Sequence, residues 1–165
     1  MSKDVLKNWL GASDSANKLN PTITLTNEGG NTSGYRLIAT IPFNAWNNYR
    51  AVFITKSRHQ GAGYLTITIG NNSNSITYDN AYSEITYWGP VGSGGVIASD
   101  SYQVRVSSDG KKAYVFWKYW DYSPTAIYVI SSDFTISSGT WMTSIAEATY
   151  GKVKAYTSIN NAQSL

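Results

Sequence analysis

Tyr64-Leu-Thr-Ile-Thr-Ile69 is the stretch that decides the fold class. Its apolar and polar residues alternate with a period of two, which places Leu65, Ile67 and Ile69 on a buried face and the other three residues on the opposite face. Thr22-Ile-Thr-Leu-Thr26 alternates in the same way. Clusters of Asn, Gly and Ser separate such segments, so the chain is predicted to form many short strands joined by turns.

The strand pattern extends through most of the chain. The strongest hairpin signal joins Tyr102–Ser107 to Lys111–Tyr119 through Asp109-Gly110, the preferred chemistry for a two-residue turn. Tyr35–Ile41 is a further strand, and its odd-numbered residues are predicted to share one face. Roughly eight to ten strands at about ten-residue spacing, with no βαβ rhythm and no repeat, predict an all-β fold. We expect an antiparallel β-sandwich of the jelly-roll type.

The composition agrees with this fold class. Ser, Thr, Asn and Gly together supply 65 of the 165 residues, and 23 residues are aromatic, 13 of them tyrosine. Charged residues make up 14% of the chain, compared with about 25% in an average globular protein. Aromatic and β-branched residues favour strands and small polar residues favour turns, which argues against both a helical bundle and a disordered chain.

The two ends of the chain differ from its centre. Apolar residues recur at helical spacing within residues 1–10 and a stretch of small residues follows, so residues 1–20 are predicted to form a short helix or an extended arm. Residues 21–157 form the predicted β-sandwich domain, and residues 158–165 form a polar C-terminal tail. Within the domain, residues 140–148 are compatible with either a helical turn or a short strand.

Charge and metal-ligand content argue against several classes of function. The 13 Lys and Arg residues barely outnumber the 10 Asp and Glu residues and are scattered, without the basic stripe typical of nucleic-acid binding. The chain has no cysteine, and His59 is its only histidine, so we expect no metal ion and no cofactor. No apolar run reaches about 18 residues, so we expect no membrane insertion.

Residues that could support catalysis are few. The acidic residues near predicted turns or strand ends are Asp79, Glu84, Asp100 and Asp121. Any two of them could meet as in glycoside hydrolases, but no motif selects a pair. The glycines and serine of 92–95 lack the flanking residues that a nucleophile elbow or a phosphate loop requires. We therefore expect no enzymatic activity.

The aromatic residues concentrate in two segments, 78–88 and 114–122. In the second segment aromatic side chains fall on both faces of the predicted strand. One face must enter the core, and the other is expected to contact a neighbouring subunit or to be exposed. The alternative is that both sets of rings fill cores or a subunit interface.

Exposed tyrosine and tryptophan rings suit ligand binding, because each combines a flat apolar face with a polar tip. The apolar faces of sugar rings stack on such side chains, and nearby Asn, Asp or Arg side chains can bind sugar hydroxyl groups. The residues predicted to bind a ligand are Tyr82, Tyr87, Trp88, Trp120, Tyr122 and the loop residue Arg58.

Several segments together resemble a known family. Ala12-Ser-Asp-Ser-Ala-Asn-Lys-Leu19, followed by the strand at 22–26, resembles the connector of phage and prophage tail fibres. Four further segments are similar to the receptor-binding tip domains of those fibres: Tyr35–Ile41, Val52–Thr55, Ser57–Ile67 and Tyr102–Tyr119. The resemblance extends over most of residues 12–157. It provides no fixed signature for a binding face.

This resemblance implies a homotrimeric distal fibre tip that binds a bacterial surface glycan or envelope protein without catalysis. It implies a fibre shaft on the N-terminal side and a place in a virion tail or phage-tail-like particle, after synthesis in the bacterial cytoplasm. The sequence before the connector contains no shaft or tail-attachment region, which is compatible with a fragment of a longer fibre. A free-standing carbohydrate-binding module or lectin, an envelope depolymerase, and a fibre segment without a receptor site are the alternatives.

Overall fold

A computed structural model describes residues 23–25, 34–57, 61–89, 99–119 and 125–160. In chain order, the elements of these ranges are β1 (Ile23–Leu25), β2 (Gly34–Pro42), β3 (Asn48–Ser57), β4 (Gly61–Asn71), β5 (Ala81–Trp88), β6 (Tyr102–Val106), β7 (Lys112–Tyr119), β8 (Thr125–Ser132), β9 (Trp141–Met142), α1 (Glu147–Tyr150) and β10 (Lys152–Asn160). The predicted all-β fold is confirmed. The helix or arm predicted for residues 1–20 lies outside the described residues.

The strands form a single curled sheet with the order β1-β8-β3-β4-β5-β10-β6-β7-β2-β9. β10 lies near the middle of this order and divides the sheet into two parts. We call β1, β8, β3, β4 and β5 half A, and β6, β7, β2 and β9 half B. Buried side chains from both halves belong to one hydrophobic core. The halves therefore enclose a shared core, as the two layers of a sandwich do.

One strand pair departs from the predicted antiparallel arrangement. β10 pairs antiparallel with β6 but parallel with β5, where Thr157 lies opposite Ile85. Parallel partners need a long connection, and the chain between β5 and β10 passes through four other strands. β10 also continues beyond the predicted domain boundary at 157, so residues 158–160 of the predicted tail belong to the sheet.

The burial of residues 64–69 in β4 agrees with the prediction made from their alternation. Leu65, Ile67 and Ile69 of β4 have no exposed surface, whereas Tyr64 is 40% exposed. The strand predicted within residues 22–26 also forms, since β1 pairs with β8 with Ile23 opposite Ile127. Alternation with a period of two therefore identifies the core-facing side chains of β4 correctly.

The face assignment predicted for β2 is wrong in the first half of the strand. Ala39 faces the core as predicted, but before it Ile38, and not Leu37, is buried. A β-bulge causes the change, because the pairing with β7 shifts between Leu37 and Ala39 and the extra residue reverses the alternation. The Ile38 carbonyl accepts a hydrogen bond from the N–H of Ser137 at 2.9 Å. Tyr35 consequently lies on the outer face of half B.

The predicted hairpin of β6 and β7 is confirmed, but its loop is longer than two residues. The N–H of Ser107 donates to the Lys112 carbonyl at 2.9 Å, which leaves residues 108–111 in the loop. Gly110 has a φ of 72°, a conformation that favours glycine. The Asp109 carboxylate accepts hydrogen bonds from the Ser107 hydroxyl at 2.7 Å and the Lys111 N–H at 3.0 Å. These bonds, that of Ser107 foremost, hold the pKa of Asp109 below its usual value.

β7 is buried on both faces within the chain. Trp117 is 1% exposed and stacks on Tyr102, with ring centroids 6.1 Å apart and planes 3° apart. On the opposite face Phe116 has no exposed surface, and its ring meets that of Tyr150 in α1 edge-on at 5.1 Å. For Phe116 and Trp117, the prediction that one face of the strand is exposed or contacts another subunit is wrong. The alternative, in which both sets of rings fill cores, is the one observed.

Residues 140–150 contain both of the elements considered for this region. β9 pairs with β2, with Tyr35 opposite Met142, and α1 follows a few residues later. Because Tyr150 contacts both Phe116 and Tyr114, α1 covers these two residues on the outer face of half B. Within the described ranges, no helix has the length and apolar character needed to cross a membrane.

The core contains one hydroxyl whose removal should increase stability. The Tyr102 hydroxyl is buried without a hydrogen-bond partner among the described residues, and burial, with a smaller contribution from Tyr87, raises its pKa well above the usual value. We expect Tyr102→Phe to raise the free energy of unfolding by about 1 kcal/mol at pH 7, because the desolvated hydroxyl is lost. Urea denaturation measures the change.

The gain from Tyr102→Phe should increase in alkali. An unfolded tyrosine ionises near pH 10, whereas the folded Tyr102 stays neutral there, so the natural chain loses stability as the pH rises from about 10 towards the folded pKa. Tyr156→Phe is the matched control, since Tyr156 is 54% exposed and its change should stay within about 0.5 kcal/mol. A Tyr102→Phe variant less stable than the natural chain at both pH 7 and pH 10.5 would contradict the prediction.

Candidate functional site

The outer face of half A carries a row of apolar side chains that runs across four adjacent strands. In the strand registers Tyr128 of β8, Ile54 of β3, Tyr64 of β4 and Trp88 of β5 lie opposite one another, and Asn160 of β10 follows. We call Tyr128, Ile54, Tyr64 and Trp88 the aromatic row. Neighbouring strands lie about 4.8 Å apart, so the row with its Asn160 end is about 19 Å long.

Tyr64 and Trp88 are the two rings of the aromatic row that contact each other, at its β5 end. Their ring centroids are 5.5 Å apart and their planes are inclined by 49°. Tyr64 is 40% exposed, and Trp88 is half-buried. The adjacent Leu65 and Tyr87 point into the core, so the two-residue period of β4 and β5 directs Tyr64 and Trp88 outward. The pair presents apolar ring surface to solvent on a rigid part of the sheet.

Polar side chains border the aromatic row along β4 and β5. Thr66 lies opposite Thr86, and Thr68 lies opposite Glu84. The Thr86 hydroxyl donates a hydrogen bond to Glu84 Oε1 at 3.1 Å. Thr86 is buried, so the polar groups that a ligand can reach beside the rings are the exposed Glu84 carboxylate and the half-buried Thr66 and Thr68 hydroxyls. Such groups can bind the hydroxyl groups of a ligand whose apolar face rests on the aromatic row.

The structure separates the three predicted ligand-binding residues of β5. Trp88 lies in the aromatic row, and Tyr82 is half-buried at the other end of the strand, with its hydroxyl beside Gly70. Tyr87 is only 2% exposed, and its ring packs against Gly63 and Gly89. Burial raises the pKa of its hydroxyl. Tyr87 is therefore a core residue that a surface ligand cannot contact.

The other predicted residues, Arg58, Trp120 and Tyr122, lie outside the described residues. The neighbouring described residues are Ser57 at the end of β3 and Tyr119 at the end of β7. β3, β5 and β7 run in the same direction, as their pairings require. The chain thus leaves β3 and β7 at the end of the sheet where Trp88 ends β5. The roles of Arg58, Trp120 and Tyr122 stay predictions.

The acidic residues considered for catalysis have structural surroundings where they are described. Asp79 is exposed in a turn, and Glu84 accepts the hydrogen bond from Thr86. Asp100 forms an ion pair with Lys118, and Asp121 lies outside the described residues. Among the residues that the structure describes, no group of three or more His, Cys, Asp and Glu side chains is placed to hold a metal ion.

The outer face of half B contains an open depression that the sequence did not indicate, with a volume of about 570 Å³. Its lining includes Tyr35, Asp100, Gln103, Arg105, Ser144 and Tyr156. We call it the half-B depression. The alternation of β6 is the one sequence signal for it, since Val104 faces the core and Gln103 and Arg105 therefore point outward.

Charged and polar groups of the half-B depression are held in place by the fold. Arg105 Nε donates to Gln103 Oε1 at 2.9 Å, and Arg105 Nη1 donates to the carbonyl of Gly151 at 2.8 Å. Lys118, which pairs with Asp100, also lies 5.9 Å from the ring centroid of Tyr35. The depression thus combines an oriented guanidinium group, a neutralised ion pair and aromatic rings.

Comparison with known proteins shows distant structural similarity. No protein-family model matches the chain, and no curated protein matches it. The fold is similar to that of WceF from Pantoea stewartii, described as a glycan biofilm modifying enzyme with a bacteriophage tailspike-like parallel β-helix fold. The TM-score is 0.51 at 10% sequence identity, and the match covers 87% of this chain.

The similarity to WceF concerns the fold of a part of that protein. The chain spans 23% of the WceF chain. Its own described strands pair antiparallel everywhere except between β5 and β10, whereas neighbouring strands of a parallel β-helix run in the same direction. The chain is therefore a distant structural neighbour of a tailspike-like protein.

Proposed function

We propose that this chain is a receptor-binding domain of a phage-type tail fibre, or of the fibre of a phage-tail-like particle, and that it binds a bacterial surface glycan without catalysis. The aromatic row is the observation that carries the proposal. Its rings lie outward on a rigid sheet, and hydroxyl and carboxylate groups border them. An extended saccharide can stack its apolar ring faces along such a row while its hydroxyl groups bind the polar border.

Two further observations support the proposal. The tail-fibre resemblance of the sequence extends over most of residues 12–157, and the structural neighbour is described as tailspike-like and as acting on a glycan. In the proposed particle the domain is a homotrimer, joined to a shaft on its N-terminal side, and it belongs to the virion tail.

The central test is substitution of Trp88. We expect Trp88→Ala to weaken binding to purified envelope polysaccharide of a susceptible bacterium at least tenfold, because the ring on which the sugar stacks is removed. Truncation of an aromatic residue that dominates binding costs about 2 kcal/mol or more. Biolayer interferometry with immobilised polysaccharide measures the affinity. Trp46→Ala is the matched control: Trp46 is 61% exposed and precedes the start of β3, which is itself roughly 20 Å from Ile54 along the strand.

Light scattering on the same samples separates a ligand site from a subunit interface. If the aromatic row binds glycan, Trp88→Ala keeps the oligomeric mass of the natural chain and loses affinity. If the row is instead buried between subunits, the mass falls. Unchanged polysaccharide affinity in a folded Trp88→Ala variant would contradict the proposal. A strictly monomeric natural chain with sugar affinity would favour a free-standing carbohydrate-binding module.

A depolymerase is the second candidate, favoured by the description of WceF as a glycan-modifying enzyme. Retaining and inverting glycosidases need two carboxyl groups that flank the scissile bond. Release of reducing ends from the envelope polysaccharide, abolished by Glu84→Gln or Asp100→Asn, would establish this activity. We propose binding alone, because the Glu84 and Asp100 carboxylates have partners in Thr86 and Lys118.

A further inference from the structure

We propose that the half-B depression is a second glycan subsite and that it selects a carboxylate-bearing sugar, a uronic acid. The ligand class rests on the proposed function, since it assumes that the domain binds a glycan. The proposal adds a site on the other half of the sheet, the residue that recognises the ligand and the chemical group that is recognised.

Arg105 supplies the recognition group. Its guanidinium carries five N–H donors, and two of them bind protein acceptors, Gln103 Oε1 and the Gly151 carbonyl. These two bonds orient the guanidinium, and its other N–H groups belong to a side chain that lines the half-B depression. A fixed guanidinium plane matches the two oxygens of a carboxylate in a bidentate pair.

The charge balance of the depression favours an anion. Among the described residues that line the depression, Arg105 is the one cationic residue and Asp100 the one anionic residue. Asp100 is already paired with Lys118, whose side chain is 15% exposed. The charge of Arg105 is consequently not balanced by another residue of the lining. A carboxylate ligand would neutralise it in a partly buried setting, where charge-assisted hydrogen bonds are stronger than at an open surface.

The remaining lining suits a sugar ring rather than a small inorganic anion. Tyr35 and Tyr156 present aromatic surface in the half-B depression, and Tyr156 is 54% exposed. The hydroxyl groups of Thr143 and Ser144 and the amide of Gln103 add donors and acceptors for sugar hydroxyls. A sugar ring that stacks on a tyrosine and carries a carboxylate would contact the aromatic rings, the polar side chains and the Arg105 guanidinium at the same time.

β10 connects this depression to the aromatic row. Tyr156, Ser158 and Asn160 alternate on the outer face of β10, whereas Thr157 is buried. Asn160 ends the aromatic row and Tyr156 lines the half-B depression. Four residues of strand separate the two, which corresponds to about 13 Å. One saccharide chain can therefore place neutral rings on the aromatic row and an acidic ring in the depression.

The test compares ligands that differ only in charge. Trigalacturonate and a hyaluronan tetrasaccharide are titrated by isothermal calorimetry against the natural chain, each beside its methyl ester. We expect at least one free acid to bind, and its ester to bind at least tenfold more weakly. The affinity of the acid should fall as the salt concentration rises, because the contact is ionic.

The variants assign the binding to Arg105. Arg105→Gln should weaken binding of the acid at least tenfold, whereas Lys112→Gln, which removes the same charge from an exposed residue of β7, should change it less than twofold. Tyr156→Ala removes an exposed ring that the fold does not need, and should weaken binding severalfold even if the Arg105 variant fails to fold.

Three outcomes would overturn the subsite: neither acid binds at millimolar concentration, acid and ester bind equally, or folded Arg105→Gln keeps the natural affinity. Binding of glucose 6-phosphate without binding of either acid would overturn the proposal that the recognised group is a carboxylate. Trp88→Ala separates this proposal from the proposed function. It should leave the short acidic oligosaccharides unaffected while it weakens the envelope polysaccharide.

Discussion

Alanine in place of Phe116 should lower the free energy of unfolding by about 3–5 kcal/mol, the usual range for a large aromatic side chain in a core. Alanine in place of Trp117, the next residue, should lower it by a similar amount. The two side chains point to opposite faces of β7, yet they are 0% and 1% exposed. Urea denaturation monitored by circular dichroism measures both losses.

Together, the stability losses of the two variants test whether both faces of β7 are covered within one chain. If Tyr150 of α1 covers Phe116 within the chain, as the edge-on contact at 5.1 Å indicates, the loss does not depend on protein concentration. If another subunit covered this face, the natural chain would lose stability on dilution, and its advantage over the variant would shrink. Tyr156→Ala is the control, since an exposed residue should change stability by about 0.5 kcal/mol or less. A Phe116→Ala variant as stable as this control would contradict the assignment of Phe116 to a core.

The elements that could be predicted from the sequence are those with strict alternation and a clear turn. β4 is the best example, because its apolar residues at 65, 67 and 69 all reach the core. β2 shows how the same rule fails. Its bulge at Ile38 inserts one residue, and a single insertion reverses every assignment on one side of it. Nothing in Tyr35–Ile41 marks that insertion, which is stabilised by a hydrogen bond from the distant Ser137.

Which strands pair with each other could not be predicted from the sequence either. β10 inserts between β5 and β6 and pairs parallel with β5, whereas short turn signals predict only pairings between consecutive strands. Residues 158–160 have a polar character that predicts a tail. In the structure Ser158 and Asn160 point outward, so only the alternate residues of this strand can face the core. A strand with few apolar residues is readily taken for a loop.

The sequence predicts Tyr87 and Trp88 as ligand-binding neighbours, but adjacent strand residues point to opposite faces. Tyr87 lies in the core, and half-buried Trp88 lies on the outer face; its role as a ligand contact stays a prediction. The alternation of β5 shows that at most one of them can lie in the aromatic row. The half-B depression could not be predicted, because its residues come from β2, β6, β10 and the segment before α1. Only the folded sheet brings them together.

A single methyl group added at Gly151 should cause a large loss of stability. Its φ is 70°, and a Cβ there would lie 1.9 Å from the carbonyl oxygen of Val106. A strained conformation alone costs about 1–3 kcal/mol, and the backbone of β6 cannot yield without breaking its pairing with β10. We expect Gly151→Ala to lower the free energy of unfolding by about 3 kcal/mol or more, measured by urea denaturation.

The Gly151 variant should also affect ligand binding, which a simple core defect would not. The Gly151 N–H donates to the Glu147 carbonyl at 2.8 Å and ends α1, while the Gly151 carbonyl accepts from Arg105 at 2.8 Å. A shift of this backbone therefore releases both the segment over half B and the guanidinium in the half-B depression. Thr149→Ala is the control, because Thr149 is exposed in α1 and its loss should stay near 0.5 kcal/mol. If Gly151→Ala matched Thr149→Ala in stability, the close approach of Gly151 to Val106 could not be a constraint of the fold, and Arg105 would have to be oriented by Gln103 alone.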